Sequence, residues 1–179
     1  MASIGDIQVL VVDDNRQARL LLRSMLSAGG VRHIAEAGAG GDAFKALRSS
    51  VDLVLLDWQM SPMDGLTFTR DVRWRTDSPR PYVPTIMLTA HTELSRVAAA
   101  RDAGVSGFVK KPISAQQLFA RISTALTETR LFVRCETFIG PDRRRLLNVA
   151  YAGPFRRESD AAPDRWTDSI DLDDLRWSA

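Results

Sequence analysis

Short runs of consecutive apolar residues alternate with segments whose apolar positions recur every three or four residues, as far as residue 128. Ile7–Val12 and Leu53–Asp57 are apolar at almost every position, as expected of parallel strands covered on both faces. His33–Ala37 is a weaker second strand, Thr85–Leu88 a fourth and Gly107–Val109 a fifth. Arg16–Ser27 gathers Leu20, Leu21, Leu22, Met25 and Leu26 on one helical face and is closed by Gly29-Gly30. Gly41–Ser49, Gly65–Arg75, Leu94–Ala103 and Ser114–Leu126 predict four further helices, with Ser114 placed to cap the last. Strict β-α alternation with apolar strands predicts an α/β fold built on a doubly wound five-stranded parallel sheet.

The pattern breaks near Leu131. Gly140-Pro141 and Gly153-Pro154 interrupt any long helix, and Asp, Ser, Pro and Ala fill 158–164. We therefore expect one domain over residues 1–130 and an extended, largely unstructured tail over 131–179, with a short amphipathic turn at Ile170–Trp177. Charge follows the same division: residues 1–130 carry +3, 131–157 carry +4 with six arginines, and 158–179 carry −5 with seven acids. A basic segment followed by an acidic end marks an interaction tail. No apolar run is long enough to span a bilayer, and no secretory leader pattern opens the chain. Cys135 is the only cysteine, which excludes an internal disulfide framework. His33 and His91 lack metal-ligand spacing. Trp58 is expected to be a partly exposed loop residue. A protein of the cytoplasm is the expectation.

Ligands of an open parallel sheet sit at the carboxyl ends of its strands. Asp13 and Asp14 end the first strand, Asp57 the third and Thr89 the fourth, and Lys111 follows the fifth. Three converging carboxylates call for a hard divalent cation. With a hydroxyl and an ammonium beside them, they form the set needed for phosphoryl transfer to a carboxylate.

Val11-Val12-Asp13-Asp14-Asn15, Leu55-Leu56-Asp57-Trp58-Gln59-Met60, Met63-Asp64-Gly65, Leu88-Thr89-Ala90 and Lys111-Pro112 together resemble the CheY-like response-regulator receiver domain, over roughly residues 5–128. The resemblance implies a flavodoxin-like architecture, Asp57 as phosphoacceptor, and Asp13 and Asp14 as the acidic pair. It implies Mg²⁺ held in this acidic set by Asp14, Asp57 and the backbone carbonyl of Gln59. Thr89 and Lys111 become phosphoryl contacts, Phe108 the aromatic switch residue, and Lys111-Pro112 a cis bond. A sensor histidine kinase is the implied phosphoryl source, and Mg²⁺-dependent self-phosphorylation and dephosphorylation the only chemistry, so the protein is not expected to be an enzyme. Ser61-Pro62 departs from the family, which usually has proline directly after the methionine.

The tail contains a repeat. Phe138-Ile139-Gly140-Pro141-Asp142-Arg143-Arg144-Arg145 is answered 13 residues later by Tyr151-Ala152-Gly153-Pro154-Phe155-Arg156-Arg157-Glu158. Arginine forks match guanine edges and phosphates, a carboxylate accepts from the Watson–Crick edge, and aromatic faces stack on bases. The acidic end counts against a long polyanion, so nucleic acid is disfavoured relative to a small guanine dinucleotide such as cyclic di-GMP. A receiver followed by such a tail resembles the Cle group of CheY-like cyclic-di-GMP effectors, whose tail binds the nucleotide and whose receiver engages the flagellar motor switch. The matching residues are Arg143, Arg144, Arg145, Arg156 and Arg157, with Asp142 and Trp166 beside them. Modulation of motility or surface attachment is the function this implies. The alternative is a conventional adaptor controlled by Asp57 phosphorylation, with a protein-binding tail.

Overall fold

A computed structural model describes residues 4–90, 94–127 and 132–142. Strands β1 (Gln8–Val12), β2 (His33–Ala37), β3 (Leu53–Asp57), β4 (Thr85–Thr89) and β5 (Gly107–Lys110) form one sheet in the order β2-β1-β3-β4-β5. Every pairing in it is parallel. Helices α1 (Arg16–Ala28), α2 (Gly40–Ala46), α3 (Gly65–Trp74), α4 (Leu94–Asp102) and α5 (Ala115–Thr127) follow the strands in turn. The doubly wound flavodoxin-like sheet is therefore observed, with helix and strand ends differing from expectation by a few residues.

Because successive strand side chains point to opposite faces, each apolar strand feeds two cores. Val9, Val11, Leu53, Leu55, Ile86 and Leu88 pack with Leu22 and Leu26 of α1 and Leu118 and Ile122 of α5. Leu10, Val12, Val54, Leu56 and Met87 pack with Ala43 of α2, Phe68 and Val72 of α3, and Ala100 of α4. The sheet is covered on both sides. The chain runs from β1 outward to β2, then returns across β1 to β3, so strand order reverses between β1 and β3. Their carboxyl ends hold Asp13 and Asp57.

Two corrections concern residues beyond α5 and the bend after β3. Residues 132–142 are not an unstructured tail. Strands β6 (Phe132–Cys135) and β7 (Phe138–Pro141) form an antiparallel hairpin, so the folded unit continues past residue 130, at least as far as Asp142. Phe132 and Ile139 are buried against the domain. The hairpin sits on Arg73 of α3, whose fully buried guanidinium donates to the carbonyls of Pro81 (2.7 Å), Val83 (2.8 Å) and Gly104 (3.1 Å). The Phe132 ring covers this cation at 5.1 Å, and Tyr82 meets Phe132 edge-on with centroids 5.7 Å apart. Burial pushes the Arg73 guanidinium down to about 9, which leaves it charged at neutral pH.

Gly104 and Gly140 make the docking possible. Gly104 has φ +88°, and a Cβ on it would lie 2.3 Å from the Ile139 carbonyl oxygen. A Cβ on Gly140 would lie 2.6 Å from the Gly104 Cα. Two backbones touch here because neither carries a side chain. The other correction is Trp58, which is buried within the α2–α3 core beside Met60 and Phe68. Residues 143–179, including Arg143, Arg144, Arg145, Arg156, Arg157, Trp166 and the expected turn at Ile170–Trp177, lie outside the described residues.

Candidate functional site

Local chemistry fixes the loops at the carboxyl end of the sheet. Asn15 caps α1 by accepting from the backbone N–H groups of Gln17 and Ala18. Its own N–H donates to Asp13 Oδ1 at 2.8 Å, which orients that buried carboxylate. Arg19 Nη1 holds the Asp13 carbonyl at 2.8 Å. Across the site, Asp64 caps α3 by accepting from Thr67 N at 2.7 Å. Gly65 N donates to the Trp58 carbonyl at 2.9 Å, and a Cβ on Gly65 would come within 2.4 Å of the Asp57 carbonyl. The Met63-Asp64-Gly65 motif is thus a cap followed by a close backbone approach. It seats α3 directly against the end of β3.

These loops bring ligand oxygens of Asp13, Asp14 and Asp57 within 4.8 Å of one another. Asp13 and Asp57 are buried, while Asp14 is exposed. Lys111 Nζ lies 2.8 Å from Asp57 Oδ1 and 3.5 Å from Asp13 Oδ2. Thr89 is buried at the end of β4, and its carbonyl accepts from Lys111 N at 2.8 Å. Phe108 is half-buried on β5, opposite Met87 in register. Gln59 is exposed in the bend two residues after Asp57. Both Ser61-Pro62 and Lys111-Pro112 are cis.

Burial raises the Asp57 carboxyl above its ordinary value, although the hydrogen bond and charge of Lys111 pull it back. Burial also works against the Lys111 ammonium, but the hydrogen bond and charge of Asp57, with the charge of Asp13, outweigh it and raise that lysine above its usual value. Three carboxylates beside one ammonium leave two negative charges uncompensated when all are ionised. Such an oxygen-only set suits a small hard cation that keeps several waters, and exposed Asp14 leaves it a solvent side. The residues present therefore fit Mg²⁺.

Sequence reasoning did not foresee Ser61. Its N–H donates to Asp14 Oδ2 at 3.0 Å. Proline, the usual family residue after the methionine, has no N–H to give. The displaced proline thus adds a donor to the acidic site and removes none of its chemical groups. The tail arginines are not brought to this site by anything within the described residues. Asp142 follows β7, at the end of the domain where Arg73, Tyr82 and Gly104 lie. That end is opposite the carboxyl ends of the strands.

Residues 9–123 match the family described as the response regulator receiver domain. The chain is 34% identical over 117 residues to the chemotaxis protein CheY of Pseudomonas aeruginosa, covering 65% of this chain and 93% of that protein. It is 32% identical over 122 residues to the chemotaxis protein CheY1 of Helicobacter pylori, covering 67% and 97% respectively. Among solved structures, the chemotaxis protein CheY4 of Vibrio cholerae superposes with a TM-score of 0.62 at 27% identity, covering 67% of this chain and 98% of that one. A putative response regulator from Chloroflexus aurantiacus gives 0.62 at 26%, covering 68% and 98%. The hairpin lies beyond the matched residues 9–123.

Proposed function

The chain belongs to the response-regulator receiver family, and from that membership we propose a CheY-like signalling adaptor that accepts a phosphoryl group on Asp57. The observation that carries this reading is the 2.8 Å contact between Lys111 Nζ and Asp57 Oδ1 inside the three-carboxylate cluster. An Asp57 carboxylate oxygen attacks the phosphorus of the donor. As the new P–O bond forms, the donor's own P–O or P–N bond breaks and its electron pair leaves with the departing group. Lys111 balances charge gathering on the phosphoryl oxygens, and the Thr89 hydroxyl at the neighbouring strand end donates a hydrogen bond to one of them. Asp13, Asp14, Asp57 and the Gln59 carbonyl would hold Mg²⁺, whose chemistry there is to neutralise phosphoryl oxygens. A sensor histidine kinase is the class of donor in the cell, and self-phosphorylation and hydrolysis are the only reactions of the chain itself.

The finer reading is that the tail binds cyclic di-GMP and that the receiver engages the flagellar motor switch across α4, β5 and α5. Its support is the arginine repeat. The apolar half of the first copy, Phe138–Pro141, is spent on strand β7, so the nucleotide-binding part of that copy is Asp142 with Arg143, Arg144 and Arg145. The second copy supplies Arg156 and Arg157, and Trp166 a stacking face. If the alternative adaptor reading holds instead, these groups contact a protein.

Acetyl phosphate with Mg²⁺ should label the full chain, and Asp57→Asn should abolish the label. Labelling that survives in the Asn variant overturns the choice of nucleophile. Calorimetry with cyclic di-GMP on the full chain, on R143A/R144A and on R156A/R157A tests the tail. Equal binding by all three removes the repeat as the site.

A further inference from the structure

The acidic end of the chain is absorbed by neither reading. A groove of about 290 Å³ opens between α4 and α5 across β5, lined by Thr89, Val97, Phe108, Lys110, Gln117 and Arg121. Its floor is apolar, from Val97 and Phe108, and its rim carries two exposed cations, Lys110 and Arg121. Neither is ion-paired among the described residues. Helix α5 contains no acidic residue. Pockets that enclose a whole small ligand run from about 300 to 1,000 Å³. This open groove is at the foot of that range, and it suits side chains of a polypeptide better than an entire dinucleotide.

We infer that the occupant is the chain's own C-terminal segment, Asp168–Trp177. That segment interleaves Ile170, Leu172, Leu175 and Trp177 with Asp168, Asp171, Asp173 and Asp174, against a single Arg176. It brings the two things the groove lacks, negative charge for its rim and apolar side chains for its floor. Residues 143–157 offer the acids arginines and also apolar side chains such as Leu146, Leu147, Tyr151 and Phe155. Contact within the tail is therefore the competing outcome, and it would leave Lys110 without a cross-link because residues 131–179 hold no lysine.

The intervening chain is long enough. Residues 143–167 are 25 residues, and a chain of that length can span at most about 80–90 Å. A folded unit of this size has a radius of gyration of about 14 Å. The segment thus reaches α4, β5 and α5 from Asp142 without being drawn taut, and tethering holds it near the groove at a concentration on the order of millimolar. Docked there, it covers the surface on which an outside partner would compete. A partner then binds only as tightly as its advantage over the tethered segment allows. This inference does not depend on the nucleotide reading and can fail while that one stands.

The chain's lysine content provides the test. Its only lysines are Lys45, Lys110 and Lys111, and none lies in residues 131–179. Carbodiimide joins an amine to a carboxylate it touches. On the full-length chain at low protein concentration, we expect an intramolecular cross-link from Lys110 to one of Asp168, Asp171, Asp173 or Asp174, read by peptide mass spectrometry. Lys45, which sits on α2 paired with Asp42, should give none to these acids. Arg121→Glu leaves Lys110 in place and should lower the yield about fivefold, the scale of one partly exposed charge contact. I170S/L172S should lower it as well, which a purely electrostatic attraction would not. Equal yields at Lys45 and Lys110, no change in both variants, or cross-links found only between two chains would each overturn the proposal.

Discussion

Replacing Phe132 by Ala should destabilise the whole receiver, not just a terminal appendage. The ring is buried, lies 5.1 Å over the Arg73 guanidinium and meets Tyr82 edge-on. Truncating a buried phenylalanine costs about 3–5 kcal/mol through lost transfer energy and the cavity left behind. Uncovering the desolvated cation contributes about 0.5–2 kcal/mol within that range. We take about 4 kcal/mol. With a urea dependence of about 2 kcal/mol per molar, the unfolding midpoint should fall by about 2 M. The assay is urea unfolding of the full chain followed by near-ultraviolet circular dichroism and, separately, by far-ultraviolet signal. Ile139→Ala should behave alike, since Ile139 is buried on the other strand of the same hairpin. Arg73→Met combined with Phe132→Ala should cost less than the two single changes added, because each single change already breaks the shared contact. A midpoint moved by less than about 0.3 M, far short of the shift of about 2 M expected, would refute the reasoning. It would mean that the hairpin opens locally at little cost and that the folded unit ends with α5 after all.

Three further outcomes follow from the site. Burial makes folded Asp57 hold its proton to a higher pH than the unfolded chain does, so its contribution to stability is lost as pH rises from 3.8 through the raised value. Asp57→Asn should therefore raise the melting temperature at neutral pH in Mg²⁺-free buffer and lose that gain near pH 3; a gain unchanged at low pH would place its cause elsewhere. Saturating Mg²⁺ should stabilise the native chain by about 2.7 kcal/mol at a hundred times its dissociation constant, with a much smaller effect in Asp14→Ala, and equal shifts in both would detach the metal from this cluster. Gly65→Ala places a Cβ 2.4 Å from the Asp57 carbonyl, so it should cost about 1–3 kcal/mol and slow acetyl-phosphate labelling; normal labelling would show that the β3–α3 junction yields without moving Asp57.

The acidic site was legible because each of its parts ends an apolar run. Asp13, Asp57 and Thr89 stand where a buried strand stops, and a parallel sheet leaves nowhere else for them to converge. The hairpin left no comparable mark. Its strands are four residues each, and the connection Glu136-Thr137 contains none of the glycine or asparagine that favours a two-residue turn. Glycine and proline at 140 and 141, which read as breakers, serve instead as a close-approach point and a strand end. Arg73 was invisible for another reason. On α3 it reads as one more solvated arginine among Arg70 and Arg75, and only the fold shows three carbonyls turned toward it. Trp58 was misplaced because it directly follows Asp57 at the end of β3, where a partly exposed loop was expected. The chain bends there, but the indole turns inward.

The buried guanidinium also makes the domain depend on residues beyond α5. Strand β6 lies beyond residues 9–123, which match the receiver family, so the cover over residue 73 comes from outside the matched stretch. An arginine buried there without the Phe132 ring would carry its desolvation cost with less to offset it. Arg73 and the hairpin are therefore energetically coupled: the ring shields a cation that three carbonyls hold in place. Truncating the chain before Phe132 would leave that cation less well covered and so make a less stable domain. The hairpin is thus a lid on a buried charge, and its value to the domain does not depend on what the residues beyond Asp142 do.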